Sequence, residues 1–336
     1  MSSFEKINSN PLLVQYLLRK KILKDEPVRL VDVGARGGRE YFWEAYKPYI
    51  EIIGFDPDRA ECLRLNKYSD NKTTYFPYAL WETAQKKKFY VTKNLPSSSF
   101  LKARSFFLQR FPDEVNLRVK KVIEVQTTTL DTFAKDNEVP YVDFIKLDIE
   151  GGELFALKGA VETLSKNVLG VSAEIAFSRT LESQPLFSDL DVFLRNLGFE
   201  LFDLSPIRLG RKSIFKSPGI QDSGQVISAH VLYFRDAVGE ILKAKNSRSK
   251  FWNEVRLLKL ASFMEIFGLI DCSIEVLQTA RRLKLVGDKD TGEFLVKVAD
   301  NQKKKSETNR TIKDILSSII PSEARDYIRR AKRELI

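Results

Sequence analysis

Residues Tyr141–Gly159 read Y-V-D-F-I-K-L-D-I-E-G-G-E-L-F-A-L-K-G. An apolar strand, Val142–Leu147, runs into a knot of charge at Lys146, Asp148, Glu150 and Glu153, and Gly151-Gly152 then turn the chain into a helical pattern. Strand, polar tip, glycine turn and helix form the arrangement that sets chemistry at the carboxyl edge of an α/β sheet. The alternative is a loop whose acids simply face water. In the strand, Ile145 and Leu147 face one side while Lys146 and Asp148 share the other, where they can pair.

The same architecture appears upstream. Val28–Val33 is a short apolar strand followed at once by Asp32-Val33-Gly34-Ala35-Arg36-Gly37-Gly38, and a helix is expected over Glu40–Tyr49. Glycines here let the backbone turn with positive φ and approach a ligand closely. The spacing is not G-x-G-x-x-G, so the turn does not match a dinucleotide pyrophosphate cradle, and no Walker lysine follows. A second strand, Ile50–Phe55, ends at Asp56-Pro57, about 20 residues beyond the turn, where a carboxylate can accept hydrogen bonds from both ribose hydroxyls of an adenosine. The plainer reading of Asp56-Pro57 is a turn opening a helix. An acid at the head of the glycine turn, Asp32, suits a cationic cofactor such as S-adenosylmethionine and would repel a pyrophosphate.

Alternation continues along the chain. Helices are expected at Pro57–Asn66, Leu130–Asn137, Glu153–Ser165 and Phe187–Leu197, after a lead-in helix in Pro11–Leu23. Strands are expected at Thr73–Leu80, Lys87–Thr92, Lys121–Thr128, Leu169–Ile175, Glu200–Leu204 and Gln225–Phe234, the last two as an antiparallel edge hairpin. Strands separated by helices imply right-handed crossovers and a mostly parallel sheet with helices on both faces. A helical hairpin is expected over Phe251–Phe267 and Ser273–Leu285.

Five segments occur in order: D-V-G-A-R-G-G (Asp32–Gly38), G-F-D-P (Gly54–Pro57), S-S-S-F (Ser97–Phe100), T-L-D-T-F (Thr129–Phe133) and D-F-I-K-L-D-I-E-G-G-E (Asp143–Glu153). Over residues 28–235 the chain resembles the FkbM-type methyltransferases, S-adenosylmethionine-dependent O-methyltransferases. The resemblance implies a Rossmann-like, seven-stranded, mostly parallel methyltransferase sheet whose last strand is antiparallel. It implies that Asp32, Gly34, Ala35, Arg36 and Gly37 line the methionine end of the cofactor, with Arg36 standing where the family usually has Asn. Asp56 with Pro57 would hold the ribose, and Ala79-Leu80 would lie near the adenine. Asp148 would stand beside the sulfonium methyl with Lys146, and Glu174 matches an acidic position common in the family. Glu150, Glu153 and Ser99 would face the methyl acceptor, expected to be a sugar hydroxyl in a glycan, glycolipid or related metabolite. No metal is expected.

The catalytic reading takes Asp148 as the best-placed proton acceptor, since a carboxylate of ordinary pKa can accept a hydroxyl proton late in methyl transfer. His230, the sole histidine, lies mid-strand and is read as structural. Two rival readings compete with methyl transfer. A nicotinamide oxidoreductase would need the missing third glycine, and a non-catalytic binding protein would act through the basic tail.

Domains are expected at 1–27, 28–239 and 240–336. Residues 241–336 carry 21 Lys+Arg against 13 Asp+Glu, whereas residues 1–240 hold 34 against 32. This points to an anionic partner for the tail. In residues 311–336, Ile312, Ile315, Leu316, Ile319 and Ile320 form an apolar stripe among basic residues. Such a helix can lie in an anionic membrane interface or pack on the body or a second copy, and both readings stay open. Nucleic acid is not expected, because the tail has few aromatics for base stacking. No run approaches the roughly 18–20 apolar residues of a membrane span, no secretory signal opens the chain, and two cysteines exclude a disulfide framework. A cytoplasmic protein is expected, with peripheral contact at the inner membrane face left to the tail.

Overall fold

The computed structural model describes residues 7–214, 219, 224–243 and 251–287. The tail stripe over 311–336 and the polar stretch before it lie outside the described residues. Met1–Leu285 forms one compact unit and Val286–Ile336 a second. Ten strands and ten α-helices are described: β1 (Val28–Val33), β2 (Ile50–Phe55), β3 (Thr73–Phe76), β4 (Ala79–Leu80), β5 (Lys86–Thr92), β6 (Val119–Thr128), β7 (Phe144–Leu147), β8 (Gly170–Ala176), β9 (Phe199–Leu209) and β10 (Gln225–Arg235). The helices are α1 (Leu12–Arg19), α2 (Arg59–Tyr68), α3 (Ser105–Leu108), α4 (Leu130–Asp136), α5 (Glu153–Lys158), α6 (Val161–Lys166), α7 (Phe187–Asn196), α8 (Ala237–Lys243), α9 (Glu254–Ile266) and α10 (Ile270–Arg282).

Seven strands form the main sheet in the order β3-β2-β1-β7-β8-β10-β9. All ladders are parallel except those of β10, which runs antiparallel to both β8 and β9. This is the Rossmann-like methyltransferase sheet, with the strand order reversing between β1 and β7. Open sheets of this kind receive ligands at such a switch point, outside the carboxyl ends of the strands. One face buries Val31, Ile145, Val171, Ala173, Ala229 and Val231 under α4–α7.

Three expectations are corrected. The segment after the glycine turn is a short 3-10 turn, Tyr41–Tyr46, rather than a helix to Tyr49; Pro48 lacks the N–H that a continuing helix would need. The strand expected over Thr73–Leu80 is two. Pro77 interrupts it, and Ala79-Leu80 instead pair with Thr127-Thr128 in a separate sheet of order β4-β6-β5. The helix expected over Glu153–Ser165 breaks at Gly159-Ala160. Gly159 sits so tightly on β4 that a Cβ would lie 2.1 Å from the Trp81 carbonyl oxygen.

Helices α8–α10 lie outside the family resemblance but within the compact unit that holds the sheet. Every residue of Leu257–Ile266 on α9 is buried. Phe263 and Phe267 meet Phe144 of β7 and Trp43, with ring centroids 5.6–6.1 Å apart. Glu265 reaches the uncapped start of α1, accepting from the Leu12 and Leu13 amides at 2.7 and 2.9 Å. That satisfies donors the helix cannot satisfy itself. Lys259, fully buried, contacts both carboxylate oxygens of Asp143 at 3.1 and 2.9 Å, plus Pro27 O at 3.1 Å and Glu26 at 3.3 Å.

Removing one partner of such a buried pair leaves an uncompensated charge. Lys259→Met is therefore expected to cost about 3–5 kcal/mol of stability. Lys259→Met combined with Asp143→Asn should recover much of that loss, because the amide oxygen can still accept the Arg29 amide hydrogen bond. Urea unfolding of the two variants checks this, and equal losses in both would sink it.

Candidate active site

The first part of the site is built at the tips of β1 and β2. The Gly34 and Ala35 amides both donate to Phe55 O at 2.9 Å, which folds the glycine turn over β2. Gly34 has φ +83°, and a Cβ there would lie 2.0 Å from Asp148 O. Only glycine permits that approach between the first turn and the β7 tip. Gly37, at φ +85°, has nothing within 4 Å of its missing Cβ, and its amide donates to Glu61 Oε1 at 2.9 Å. Glu61 is held down at about 2 by Arg64.

Asp32 and Asp56 are both buried. Asp56 Oδ1 accepts from the Asp58 amide at 2.8 Å. Arg36 turns toward this group, 2.7 Å from Asp58 Oδ2 and 3.5 Å from Asp56 Oδ1. It thus sits at the β2 tip and not beside Asp32, where the expected methionine end would place it. Pro57 follows Asp56 at the surface of the same tip. Ala79 and Leu80 are buried, and Leu80 belongs to the main core, so that stretch can offer only its backbone to a ligand.

Register builds the second part. Asp32 pairs with Lys146, Lys146 with Ser172, and Ser172 with Leu232. Two residues further toward the carboxyl edge, the same face carries Asp148, Glu174 and His230, with His230 directly opposite Glu174. Lys146 Nζ lies 3.1 Å from Asp32 Oδ1, 4.0 Å from Asp148 Oδ2 and 3.3 Å from Gly34 O. Burial depresses the Lys146 pKa, but Asp32 and Asp148 outweigh it and leave it raised. Burial raises Asp32 despite Lys146, and its Oδ1 is buried without an aligned hydrogen bond.

Beyond Asp148 the chain takes φ +57° at Glu150 and +88° at Gly151. Glu153 steadies this loop: its Oε1 accepts from the Ile149 and Gly151 amides at 2.9 and 3.2 Å, and burial raises it to about 7. Ser99 donates to Glu150 O at 2.7 Å and accepts from the Leu101 amide at 3.0 Å. The S-S-S-F segment reaches the neighbouring cavity through Ser97, not Ser99.

That cavity, about 250 Å³, lies against the loop. Glu150, Glu153 and Glu174 line it with Ser228 and Gln184, and Leu108, Leu117, Leu181 and Leu209 supply apolar wall. No Lys or Arg is among its lining residues. Burial raises Glu150, and Glu174, Asp148 and Glu153 push it further up. Burial likewise raises Glu174, with Asp148 and Glu153 adding to it and Ser228 opposing. Two such carboxyls side by side share protons rather than both ionise.

Two residues at the site carried no sequence signal. Glu40 follows the glycine turn and is raised to about 7 by burial, with Lys146 opposing and Asp32 and Asp148 reinforcing. His230 is lowered by burial, and it feels Asp148 and Lys146, so it belongs to the charged face and not only to the strand interior. Its position depends on a non-local register across from Glu174, which periodicity does not reveal. Among the described residues no group of three or more metal-ligating side chains gathers. Nor is any described helix long and apolar enough to cross a membrane.

The model of the FkbM methyltransferase domain matches residues 32–201, half of the sequence. The chain belongs to the FkbM methyltransferase domain family. Solved structures similar to this family member include the methyltransferase FkbM of Methylobacillus flagellatus, 17% identical, covering 61% of this chain and 43% of that one, with TM-score 0.34. The chain thus spans under half the length of that protein. Magnesium protoporphyrin IX methyltransferase of Synechocystis with bound SAM is 11% identical, covering 67% and 76%, TM-score 0.33. The N-terminal domain of EvdMO1 with SAH bound is 9% identical, covering 68% and 82%, TM-score 0.32. No curated protein matches the chain.

In this FkbM-family site, the raised Glu153 links stability to pH. A group whose folded pKa lies above its unfolded value stabilises most below the unfolded value, and the gain fades as pH rises through the folded one. Stability should therefore fall between about pH 4.5 and 7 by up to roughly 3 kcal/mol from this group. Glu153→Gln keeps an oxygen for the two amides and should flatten that slope in denaturant titrations run at several pH values. An unchanged slope would remove Glu153 as its source.

Proposed function

We propose that the protein binds S-adenosylmethionine across the tips of β1 and β2 and transfers its methyl group to a sugar hydroxyl in a glycan, glycolipid or related metabolite. The observation that carries this reading is the carboxylate-walled cavity set directly beyond Asp148, on the loop that leaves the cofactor face of β7. The residues fit the cofactor. Asp32, buried and ion-paired only with Lys146 among the described residues, suits the methionine ammonium. Open space at Gly37 leaves room for the methionine chain. Asp56 Oδ2 has no partner among the described residues and suits ribose hydroxyls. When bound, the cofactor supplies an electrophilic methyl carbon on a sulfonium.

The chain's own residues do the rest. Lys146 fixes Asp32 and Asp148 relative to the glycine turn, so the donor end is held in one place. Ser99 and Glu153 hold the loop that presents Glu150. Glu150 and Glu174 hold the acceptor hydroxyl in the cavity, which is how positioning lowers the barrier. Glu174, as the carboxylate, takes the hydroxyl proton while the oxygen gains the methyl carbon, and Asp148 stabilises the positive charge at the donor side. A base held above the ordinary carboxylate range suits neutral operating pH.

Two experiments test this. Calorimetry with S-adenosylhomocysteine should give saturable binding, weakened by about 1–3 kcal/mol in Asp56→Ala through lost charge-assisted bonds. No binding to the wild type would overturn the reading. With an acceptor in hand, turnover should rise with pH above the usual carboxylate range, because the base works only when ionised. Glu174→Gln should remove that rise and lower kcat about 100- to 10,000-fold, with S-adenosylhomocysteine affinity kept. Undiminished turnover in that variant would take the proton route away from Glu174.

A further inference from the structure

The cavity lining is acidic, but the segment that supplies Asn94, Ser97, Leu108, Asn116 and Leu117 to it has the opposite sign. Residues 86–128 hold ten Lys or Arg against three Asp or Glu, whereas the rest of residues 1–240 holds 24 against 29. Three cavity-lining leucines stand one or two residues before an arginine: Leu108 before Arg110, Leu117 before Arg118, and Leu209 before Arg211. The Lys212 amide donates to Arg110 O at 3.1 Å and ties two of these arms together.

Phe107 and Phe111 stand 5.3 Å apart and act as a shelf. Arg110 lies over Phe107 at 5.5 Å and Arg211 over Phe111 at 4.2 Å. The nearby carboxylate of Glu114 is already engaged by Lys212 at 2.7 Å and Arg118 at 3.2 Å. Neither Arg110 nor Arg211 takes part in an ion pair among the described residues. Arg211 Nη2 donates to Gln225 Oε1, but its Nη1 is buried with no partner. Burial and the neighbouring Arg110 both disfavour the charged form of Arg211. Two like charges held over adjacent rings, one with an unsatisfied buried donor and neither paired with a carboxylate among the described residues, leave a place for an anion.

We infer that Arg110 and Arg211 form a phosphate subsite beside the acceptor cavity, so that the acceptor is a sugar carrying a phosphomonoester or phosphodiester. The inference rests on the proposed acceptor cavity. A cavity of 250 Å³ is smaller than the roughly 300–1,000 Å³ of drug-sized ligands, which suits one sugar unit inside and its charged substituent outside. A phosphate presents several oxygens to two guanidinium forks, whereas a carboxylate has only two. Acid lining the cavity and arginine beyond its lining would then fix which end of the acceptor enters.

The test uses the full chain with S-adenosylhomocysteine bound. Inorganic phosphate should raise the melting temperature saturably in the wild type. Arg110→Gln/Arg211→Gln should weaken that phosphate affinity at least tenfold while leaving S-adenosylhomocysteine affinity unchanged. Arg110 is exposed, so Arg110→Gln alone serves if the double variant does not fold, with a smaller loss expected. Vesicles of phosphatidic acid in phosphatidylcholine give the second arm. Competition with inorganic phosphate supports the subsite with a lipid-borne phosphate as its source, and phosphate binding without vesicle binding supports it with a soluble source. Equal phosphate affinity in wild type and variants, or no phosphate binding at all, overturns the subsite. Absent S-adenosylhomocysteine binding would instead strike the cofactor reading on which it stands.

Discussion

The Lys146 ammonium is the contact on which the geometry of the site depends. Parallel register places it beside Asp32, and the two-residue period of the strand places Asp148 on the same face. Without that cation, the buried Asp32 carboxylate would face Asp148 on the neighbouring strand tip uncompensated. The same ammonium also meets Gly34 O, so one side chain locks the glycine turn, the β1 acid and the β7 tip together. The glycine at 34 is the backbone counterpart of this lock. Its missing Cβ is what lets the turn lie on Asp148 O.

β7 is only four residues long and is anchored by charge at both ends. Lys146 pairs at its exit, and at its entry Asp143 meets Lys259 from α9. A short central strand gains little register specificity from its own hydrogen bonds. Two buried ion pairs plus the Phe144 stack on Phe267 give it a defined position along the sheet axis. Helix α9 therefore bears on the active face although it touches none of the proposed ligands. A shift of β7 by one residue would turn Lys146 and Asp148 into the hydrophobic core.

Much of this was legible in the residues. The alternation of strands and helices, the glycine turn, Asp56 at the β2 tip and the shared face of Lys146 and Asp148 are local patterns, and local patterns survive translation into structure. What was missed is non-local. Lys259 sits in an apolar helical run whose sequence gives no hint of a carboxylate across the interface. His230 gains its charged surroundings only because β10 pairs antiparallel with β8. Pro77 and Gly159 were visible, but their effects depend on what packs against them, β6 in one case and the Trp81 carbonyl in the other. Arg36 sits in the glycine turn, yet it is drawn to the β2 tip by Asp58, the residue just past the G-F-D-P segment.

Distance from cations sorts the carboxylates into two kinds. Asp32 and Glu40 both feel Lys146, which opposes the effect of burial. Among the causes acting on Glu150, Glu153 and Glu174 there is no cation at all, only burial, neighbouring acids and hydrogen bonds. A single lysine thus divides the carboxylates into a group whose negative charge it supports, at Asp32 and Glu40, and a group at the cavity whose burial and mutual repulsion favour retained protons. A protonated carboxyl can donate as well as accept, so carboxyls lining the cavity can meet a polar group of either kind. Lys146 itself does not line the cavity, so its charge acts on Asp32 and Gly34 and not on Glu150. The order of residues in I-K-L-D-I-E is what keeps the two charge environments apart.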